Sequence, residues 1–235
     1  MKNGFDKLAA PYRWMEYFSF GRALERARFH FLPQLTGTRT ALLLGDGDGR
    51  FTAALLRTAP AAQAVSIDAS KAMLQTSRSR CGRSGTSGRL ETIQADLRQG
   101  LPGKLLLRTR QKQGSFDLVA THFLIDCLCD AEVDRLAAHV TAQSSPGAQW
   151  IISEFRIPPT GRMRLPSRMI VRGLYTAFRL LTGLSTKQLP AYENILQQHG
   201  WSMAEQHLHL GGLLTSERWQ RTFDSGATPP TDSQA

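Results

Sequence analysis

The sequence has few cysteines, a shortage of acidic residues and no long apolar segment. Its three cysteines are odd in number and form no C-x-x-C pair, so neither a disulfide framework nor a zinc site is indicated and no metal is expected. No apolar run approaches the roughly 20 residues that a transmembrane helix needs. The first residues lack the apolar core of a secretion signal. We therefore expect a cytoplasmic protein.

The shortage of acids gives the chain a net charge of +10, from 29 Lys and Arg against 19 Asp and Glu. Such a charge favours anionic partners, namely nucleic acid, an anionic membrane surface or an anionic substrate. An arginine-rich composition spread over a solvated surface explains the same charge equally well. At 235 residues the chain is long enough for one domain with a full core.

A glycine-rich turn between an apolar run and a helix is the most informative feature present. The apolar run 41–44 leads into a G-x-G-x-G pattern formed by Gly45, Gly47 and Gly49, and residues 51–56 are typical of a helix. A buried strand, a tight turn and a helix N-terminus together make a ligand cradle. The next apolar run ends at Asp68, whose carboxylate can accept from both hydroxyls of a ribose.

Two aspartates inside this loop indicate which ligand it suits. The dinucleotide pattern G-x-G-x-x-G binds a pyrophosphate, which Asp46 and Asp48 would repel. A ligand with a ribose, an ammonium and a sulfonium fits them better, and S-adenosylmethionine has all three. The alternative is a glycine-rich turn without a ligand.

Apolar runs alternate with helical periodicity along the chain, which predicts a parallel sheet with helices on both faces. Strands are predicted near 40–45, 63–68, 90–95, 116–121 and 150–155, with Pro146-Gly147 as a turn, and closing strands near 202–210 and 213–220. Helices are predicted at 49–58, 70–80, 130–142 and 190–199. Ligands of such sheets lie at the carboxyl ends of the strands. Five polar or glycine positions fall there: Gly45, Asp68, Asp96, His122 and Arg156.

Further segments flank this predicted core. We expect an N-terminal helical lid over 1–39, a main domain over 40–223 with a helical cap at about 160–195, and a disordered tail over 224–235. Helix 162–182 is predicted to be amphipathic, with Ile170, Leu174, Ala177, Phe178 and Leu181 opposite Arg168, Arg172 and Arg179. It either covers a pocket, rests on an anionic membrane, or is an ordinary lid helix with a solvated arginine face.

Taken together, these motifs resemble the class I S-adenosylmethionine-dependent methyltransferases. The matching segments are 44–49, 66–70 with Met73 and Leu74, 94–97 and 116–119, so the resemblance covers about residues 40–155. It implies a Rossmann-like fold of seven mostly parallel strands and an enzyme that uses S-adenosylmethionine and releases S-adenosylhomocysteine. The implied reaction is methyl transfer, and our first hypothesis is direct transfer to a small acceptor that is apolar or aromatic. The C-terminal half is more distantly similar to quinone-biosynthesis C-methyltransferases.

The resemblance also implies roles for individual residues. The three loop glycines let the methionine portion approach the backbone, and Asp68 holds the ribose. The predicted adenine contacts are Ala69, Met73, Asp96 and Leu97, and Tyr12 is expected to close over the cofactor carboxylate. The family usually carries an acid two residues before the first loop glycine. Here that position is Leu43, and Asp46 or Asp48 is expected to supply the charge.

Residues after the fourth strand are candidates for the chemistry. His122 is the best candidate for a base, because an imidazole titrates near neutral pH. It is also a predicted cofactor contact, and the alternative is a structural histidine. If a helix starts here, Asp126 shares a face with His122 and orients it. Arg156, Tyr175 and Tyr192 are predicted substrate contacts, although such aromatics also suit a core.

Two other functions stay open at this point. An RNA methyltransferase would use a basic surface made of Arg78, Arg80, Arg83, Arg89, Arg108, Arg110 and Lys112. Nucleic acid is less favoured. Methyltransferases that act on base amino groups resemble one another in an Asn/Asp-Pro-Pro-aromatic turn after the fourth strand, and this chain has no such turn. The second alternative is a cofactor-binding protein without turnover. The oligomeric state is left open.

Overall fold

The fold is organised around one seven-stranded sheet with strand order β3-β2-β1-β4-β5-β7-β6. The computed structural model describes residues 22–103, 105, 115–158, 165, 167–169, 173 and 190–222. The strands are β1 Thr40–Leu44, β2 Gln63–Asp68, β3 Leu90–Gln94, β4 Phe116–His122, β5 Ser144–Phe155, β6 Trp201–His209 and β7 Leu214–Arg221. Strand β7 runs antiparallel to β5 and β6, and the other pairs are parallel. The predicted Rossmann-like sheet is confirmed.

Helices cover both faces of this sheet. Within the described ranges they are α1 Ala23–Phe29, α2 Arg50–Thr58, α3 Lys71–Arg83, α4 Asp130–Gln143 and α5 Tyr192–Gln198. Short 3-10 turns lie at Leu32–Gln34, Ser87–Arg89, Leu97–Gln99, Ile125–Cys127 and Leu210–Gly212. Strand β1 is buried on both faces of the sheet. Leu42 and Leu44 pack in one apolar cluster, and Ala41 and Leu43 pack in another. Successive side chains of a strand point to opposite faces.

Strand β5 is longer than its sequence suggests. It begins at Ser144 and continues through Pro146-Gly147, where the sequence predicted a turn. The pairing with β4 shifts register between Phe116 and Leu118, and Gly147 has a φ of 76°. A bulge with a left-handed glycine thus takes the place of the turn, and that prediction was wrong.

The flanking predictions are tested in part. Helix α1 belongs to the predicted lid, and its Leu24 and Ala27 pack against Phe123 and Leu214 on the sheet. Residues 1–21, with Tyr12, lie outside the described residues, as do Tyr175 and 224–235. Of the predicted helix 162–182, residues 165, 167–169 and 173 are described and are helical. Among all described residues, no helix is both long enough and apolar enough to cross a bilayer.

Candidate functional site

The loop between β1 and α2 lies at the carboxyl edge of the sheet and contains one glycine with space beside it. Gly47 has a φ of 59°, a conformation that strongly favours glycine. A Cβ added there would have Met73 Sδ, at 4.0 Å, as its nearest neighbour. Gly47 is half-buried, so its backbone is open to a ligand that approaches between the loop and α3.

The other two loop glycines serve packing. A Cβ on Gly45 would stand 2.9 Å from Leu124 Cδ1, and a Cβ on Gly49 would stand 2.7 Å from the Cα of Ser77. Gly49 therefore allows α2 and α3 to approach closely. Gly45 allows Leu124, from the segment after β4, to lie over the loop. The prediction that all three glycines face the methionine portion finds geometric support only at Gly47.

Asp68 ends β2 and is held against this loop. Its Oδ2 accepts from Gly47 N at 3.1 Å, and its Oδ1 accepts from Ser70 N at 2.8 Å. Ser70 in turn caps α3, because its hydroxyl accepts from Met73 N at 3.3 Å. Three residues predicted to bind one ligand are therefore brought together at one point of the sheet edge: Gly47, Asp68 and Met73.

The loop aspartates already have partners within the protein. Asp46 Oδ2 accepts from Thr52 N at 2.8 Å and from Thr52 Oγ1 at 2.6 Å, so Asp46 caps α2 from the interior. Burial raises the pKa of Asp46, and Arg28 offsets part of that rise. Asp48 forms ion pairs with Arg50 and Arg80 at 3.1 and 2.8 Å. Asp48 is thus paired within the protein, whereas Asp46 Oδ1 has no hydrogen-bond partner, so a contact of these carboxylates with a cationic ligand stays a prediction.

The predicted adenine residues differ in their surroundings. Asp96 is exposed and forms a bidentate pair with Arg98, whose hydrogen bonds lower the pKa of Asp96. Leu97 is 5% exposed and lies in the core. Ala69 is half-buried, and its carbonyl accepts from Gln94 Nε2 at 3.1 Å. Asp96 and Ala69 thus remain near the edge that carries Asp68, whereas the Leu97 side chain belongs to the core.

His122 is the last residue of β4 and is 4% exposed. Its Nδ1 lies 3.0 Å from Ser153 Oγ, and that hydroxyl donates to Ala27 O at 3.1 Å. Because the serine proton is directed at Ala27, His122 Nδ1 must carry its own hydrogen. Nε2 then has the lone pair, and it has no hydrogen-bond partner. Burial, with a contribution from Arg28, lowers the pKa of His122 well below 6.5, so the ring is neutral.

The helix that would place Asp126 on the same face as His122 does not form. No α-helix begins at His122, because Phe123 has a φ of 56° and a 3-10 turn follows at Ile125–Cys127. Asp126 accepts instead from Cys127 Sγ at 3.4 Å. The prediction of a shared helical face was therefore wrong. A left-handed non-glycine residue at the end of the strand is the cause.

Glu154, near the end of β5, was not predicted as a site residue. It is 1% exposed, and its Oε1 accepts from Leu124 N at 3.0 Å and from Ile125 N at 2.8 Å. Its Oε2 has no hydrogen-bond partner. Burial and the charge of Asp126 raise the pKa of Glu154 well above 4.5, and burial raises that of Asp126 to about 6. An acid close to the apolar run at 150–152 was the signal available in the sequence.

The predicted substrate residues separate into core and edge. Tyr192 is 9% exposed, lies in the core, and donates its hydroxyl to Glu217 Oε1 at 3.0 Å. It therefore fits the alternative of a core aromatic. Arg156 follows β5, is half-buried, and donates its backbone N–H to Leu213 O at 2.8 Å, which leaves it at the carboxyl edge of the sheet.

Comparison with known families identifies the central part of the chain. Residues 41–147 match the family model described as a methyltransferase domain. The central segment of the chain is therefore similar to a methyltransferase domain. This match supports the predicted resemblance to methyltransferases over residues 41–147, whereas the more distant quinone-biosynthesis resemblance stays a prediction. No curated protein matches the chain.

Solved methyltransferase structures share the fold. An O-methyltransferase family protein from Burkholderia thailandensis has a TM-score of 0.66 at 15% identity, covering 94% of this chain and 64% of that protein. Mitomycin 7-O-methyltransferase gives 0.64 at 15% identity, with 94% and 61% covered. N,N-8-amino-8-demethyl-D-riboflavin dimethyltransferase from Streptomyces davawensis has a TM-score of 0.59 at 18% identity, with 94% of this chain and 62% of that protein covered. The chain thus spans under two thirds of the length of each of these proteins.

Proposed function

We propose that this chain is an S-adenosylmethionine-dependent methyltransferase that acts on a small apolar or aromatic acceptor. The observation that carries the proposal is the convergence of Gly47, Asp68 and Met73 at the sheet edge of a methyltransferase domain. A half-buried carboxylate, an open backbone turn and a thioether side chain fit a ribose and the adjacent adenine. The predicted cytoplasmic location stays a prediction.

Each of these residues has a defined task in the proposed enzyme. Asp68 accepts from the ribose hydroxyls and fixes the sugar against β2. Gly47 leaves the backbone accessible, and Met73 packs beside the base. When bound, S-adenosylmethionine supplies a methyl group activated by its positively charged sulfur. The protein's main task is then to align the acceptor nucleophile, which can account for a large part of the rate.

A proton acceptor is available beside this position if the nucleophile must lose a proton. Leu124 lies over the loop at Gly45, and the adjoining backbone of 124–125 is held by Glu154. Asp126, with a pKa raised to about 6, is therefore close to the loop and able to exchange a proton near neutral pH. We propose the Asp126–Glu154 pair for this role in preference to His122. The imidazole Nε2 is buried, and its ring packs edge-on to Phe51.

The names of similar solved structures support the proposed class of acceptor. The names of two of them specify small molecules, mitomycin and an amino-demethyl-riboflavin, as the compounds that are methylated. One transfers to oxygen by name, and the other is named for a dimethylation of an amino compound. A small-molecule acceptor is thus favoured, while the atom methylated is left open.

The basic surface proposed for RNA loses part of its charge to internal contacts. Arg80 pairs with Asp48 at 2.8 Å, and Arg89 donates to the carbonyls of Leu56, Ala59 and Ala62. These arginines stabilise α2 and α3. Arg108, Arg110 and Lys112 lie outside the described residues. RNA methylation therefore stays a secondary prediction, to be tested by the salt dependence of RNA retention.

Calorimetric titration with S-adenosylmethionine and S-adenosylhomocysteine tests the proposal. We expect Asp68→Ala to weaken binding by about 1–3 kcal/mol, the range for hydrogen bonds to a charged group. Asp134→Ala is the matched control, because this acid lies on α4 and is paired with His199. Its affinity for the cofactor should equal that of the wild type.

Three outcomes of this experiment are distinguishable. Failure of the wild type to bind either compound contradicts the proposal as a whole. Equal affinity of wild type and Asp68→Ala contradicts the assigned ribose position. Tight binding without methyl release, measured against a panel of phenolic and heteroaromatic acceptors, supports the cofactor-binding protein without turnover instead.

A further inference from the structure

Three of the six histidines of this chain meet at the edge of the sheet, away from the Gly47–Asp68 loop. His30 immediately follows α1, and His207 and His209 lie two residues apart on β6. Residues at that spacing face the same side of a strand. The candidate ligand atoms of the three side chains all lie within 4.8 Å of one another.

We infer that His30, His207 and His209 form a binding site for a divalent transition-metal ion, with zinc as the best-suited ion. Imidazole nitrogens bind zinc, nickel and copper readily. Three protein ligands leave a fourth tetrahedral position for a water molecule or a small anion. The inference does not depend on the proposed methyltransferase activity, because none of the three histidines belongs to the cofactor loop.

The orientation of His209 supports a ligand role. Its Nε2 lies 2.9 Å from Ser216 Oγ, and the same hydroxyl donates to Ala27 O at 2.7 Å. Because the serine proton is already directed at Ala27, His209 Nε2 must donate, and its Nδ1 carries the lone pair. A metal-binding histidine commonly donates its second ring N–H in this way, which fixes the tautomer and the ring orientation.

The spacing of the rings is compatible with a small contraction on binding. Ring centroids are 4.1 Å apart for His30 and His207 and 4.6 Å apart for His207 and His209. Zinc–nitrogen distances of 2.0–2.1 Å place ligand nitrogens about 3.4 Å apart in a tetrahedron. The rings of His30 and His207 are stacked with planes 16° apart, and the centroids of His30 and His209 are 5.5 Å apart. Ligation therefore requires the exposed ring of His207 to turn and the ligand atoms to approach one another by about 1–1.5 Å.

The polar surroundings of the cluster are suitable for a cation. The carboxylate of Glu205, on the same strand, exerts an electrostatic effect on His30 and is paired with Arg218 at 2.9 Å. An ion held by the three histidines would connect the end of α1 to β6, an edge strand of the sheet. Occupancy should therefore stabilise the folded state, because a ligand that binds only the native protein shifts the unfolding equilibrium.

The test is a zinc titration of the full chain prepared without a polyhistidine tag. Zinc competition against a chromophoric chelator gives stoichiometry and affinity, and cobalt substitution gives a visible absorption spectrum that reports coordination. We expect one zinc ion per chain, a rise in Tm with zinc, and at least a tenfold loss of affinity in His207→Ala. His207 is chosen because its side chain is exposed, so the variant should fold.

The control is His199→Asn, which removes a histidine that pairs with Asp134 outside the cluster. This variant should bind zinc as the wild type does. The inference is overturned if the wild type binds no zinc at about 100 µM, an affinity far below that of structural zinc sites. It is also overturned if His207→Ala and wild type bind zinc equally well.

Discussion

Two buried glutamates, on adjacent strands, show how differently one side chain can be used. Glu217 on β7 is fully buried, and its carboxylate accepts from four donors: Tyr192 Oη, Gln206 Nε2, Thr215 Oγ1 and Trp219 Nε1. Glu154 on β5 accepts from two backbone N–H groups through one oxygen, while its other oxygen has no hydrogen-bond partner. Asp126 lies close enough to raise the pKa of Glu154 further.

The difference indicates which glutamate is structural and which is available for chemistry. A carboxylate that uses both oxygens as acceptors fits a fixed anionic acceptor, since every donor around it depends on it. A buried carboxyl with an unused oxygen beside a second acid has a raised pKa and retains a proton more readily. The first kind maintains the core around Tyr192, and the second is found beside the proposed reaction site.

The same isosteric substitution at both positions tests this distinction, and the largest effect is expected at β7. Glu217→Gln replaces an acceptor oxygen with an NH₂ group that must face another donor. We expect a loss of about 3 kcal/mol in the free energy of unfolding, because charge-assisted hydrogen bonds are lost and a buried donor is left unpaired. Urea denaturation at pH 7 measures it.

Glu205→Gln is the control for that experiment. Glu205 also pairs with a neighbouring strand residue, Arg218, but at a partly exposed position, where an ion pair contributes little. Its effect should stay below about 1 kcal/mol. If Glu217→Gln and Glu205→Gln lower the free energy of unfolding equally, Glu217 is not the centre of a buried network.

The next effect concerns pH. The pKa of Asp126 is about 6 in the folded protein and near 3.9 in an unfolded chain, so the folded state binds the proton more tightly. Stability is therefore greatest below about pH 4 as far as this group is concerned, and it falls as the pH rises from about 4 to 6. We expect Asp126→Asn to reduce this fall by about 2 kcal/mol, since one pKa unit corresponds to 1.36 kcal/mol.

Urea denaturation at a series of pH values between 4.5 and 7.5 measures this difference. Glu25→Gln, at an exposed position on α1, should give a pH profile parallel to that of the wild type. If the Asp126→Asn profile is also parallel to the wild type, the acid pair does not retain a proton near neutrality and its proposed role as a base is wrong.

The smallest effect is expected for Glu154→Gln. Glutamine resembles the protonated glutamic acid, and its carbonyl oxygen can still accept from Leu124 N and Ile125 N. At pH 5 the free energy of unfolding should change by less than about 1 kcal/mol, because no established hydrogen bond is lost. A loss as large as that of Glu217→Gln would mean that both glutamates are structural.

Much of the fold was predictable from local patterns, because the strands buried on both faces appear as apolar runs in the sequence. The β2 boundaries were predicted without error. The start of β5 was not, since Pro146-Gly147 also fits a turn and only the pairing with β4 places a bulge there. Tertiary pairing determined that boundary.

The candidate site divides along similar lines. Asp68 and Gly47 were predictable, because a turn after a buried strand places the following residues at the carboxyl edge. The pairing of Asp48 with Arg80 was not, since Arg80 reaches Asp48 only once α2 and α3 are packed. The H-x-H spacing at His207 and His209 was a visible signal, but His30 is distant in sequence and only the fold adds it.

The carbonyl oxygen of Ala27 lies in the last turn of α1, where it accepts from His30 N at 3.3 Å and remains open to side-chain donors. It accepts from Ser153 and from Ser216, and these hydroxyls fix the imidazoles of His122 and His209. One main-chain atom therefore sets the tautomer of two rings that lie on different strands. A small rigid-body displacement of α1 would free both serine protons simultaneously, and exchange of protons at the two rings would become a single cooperative event.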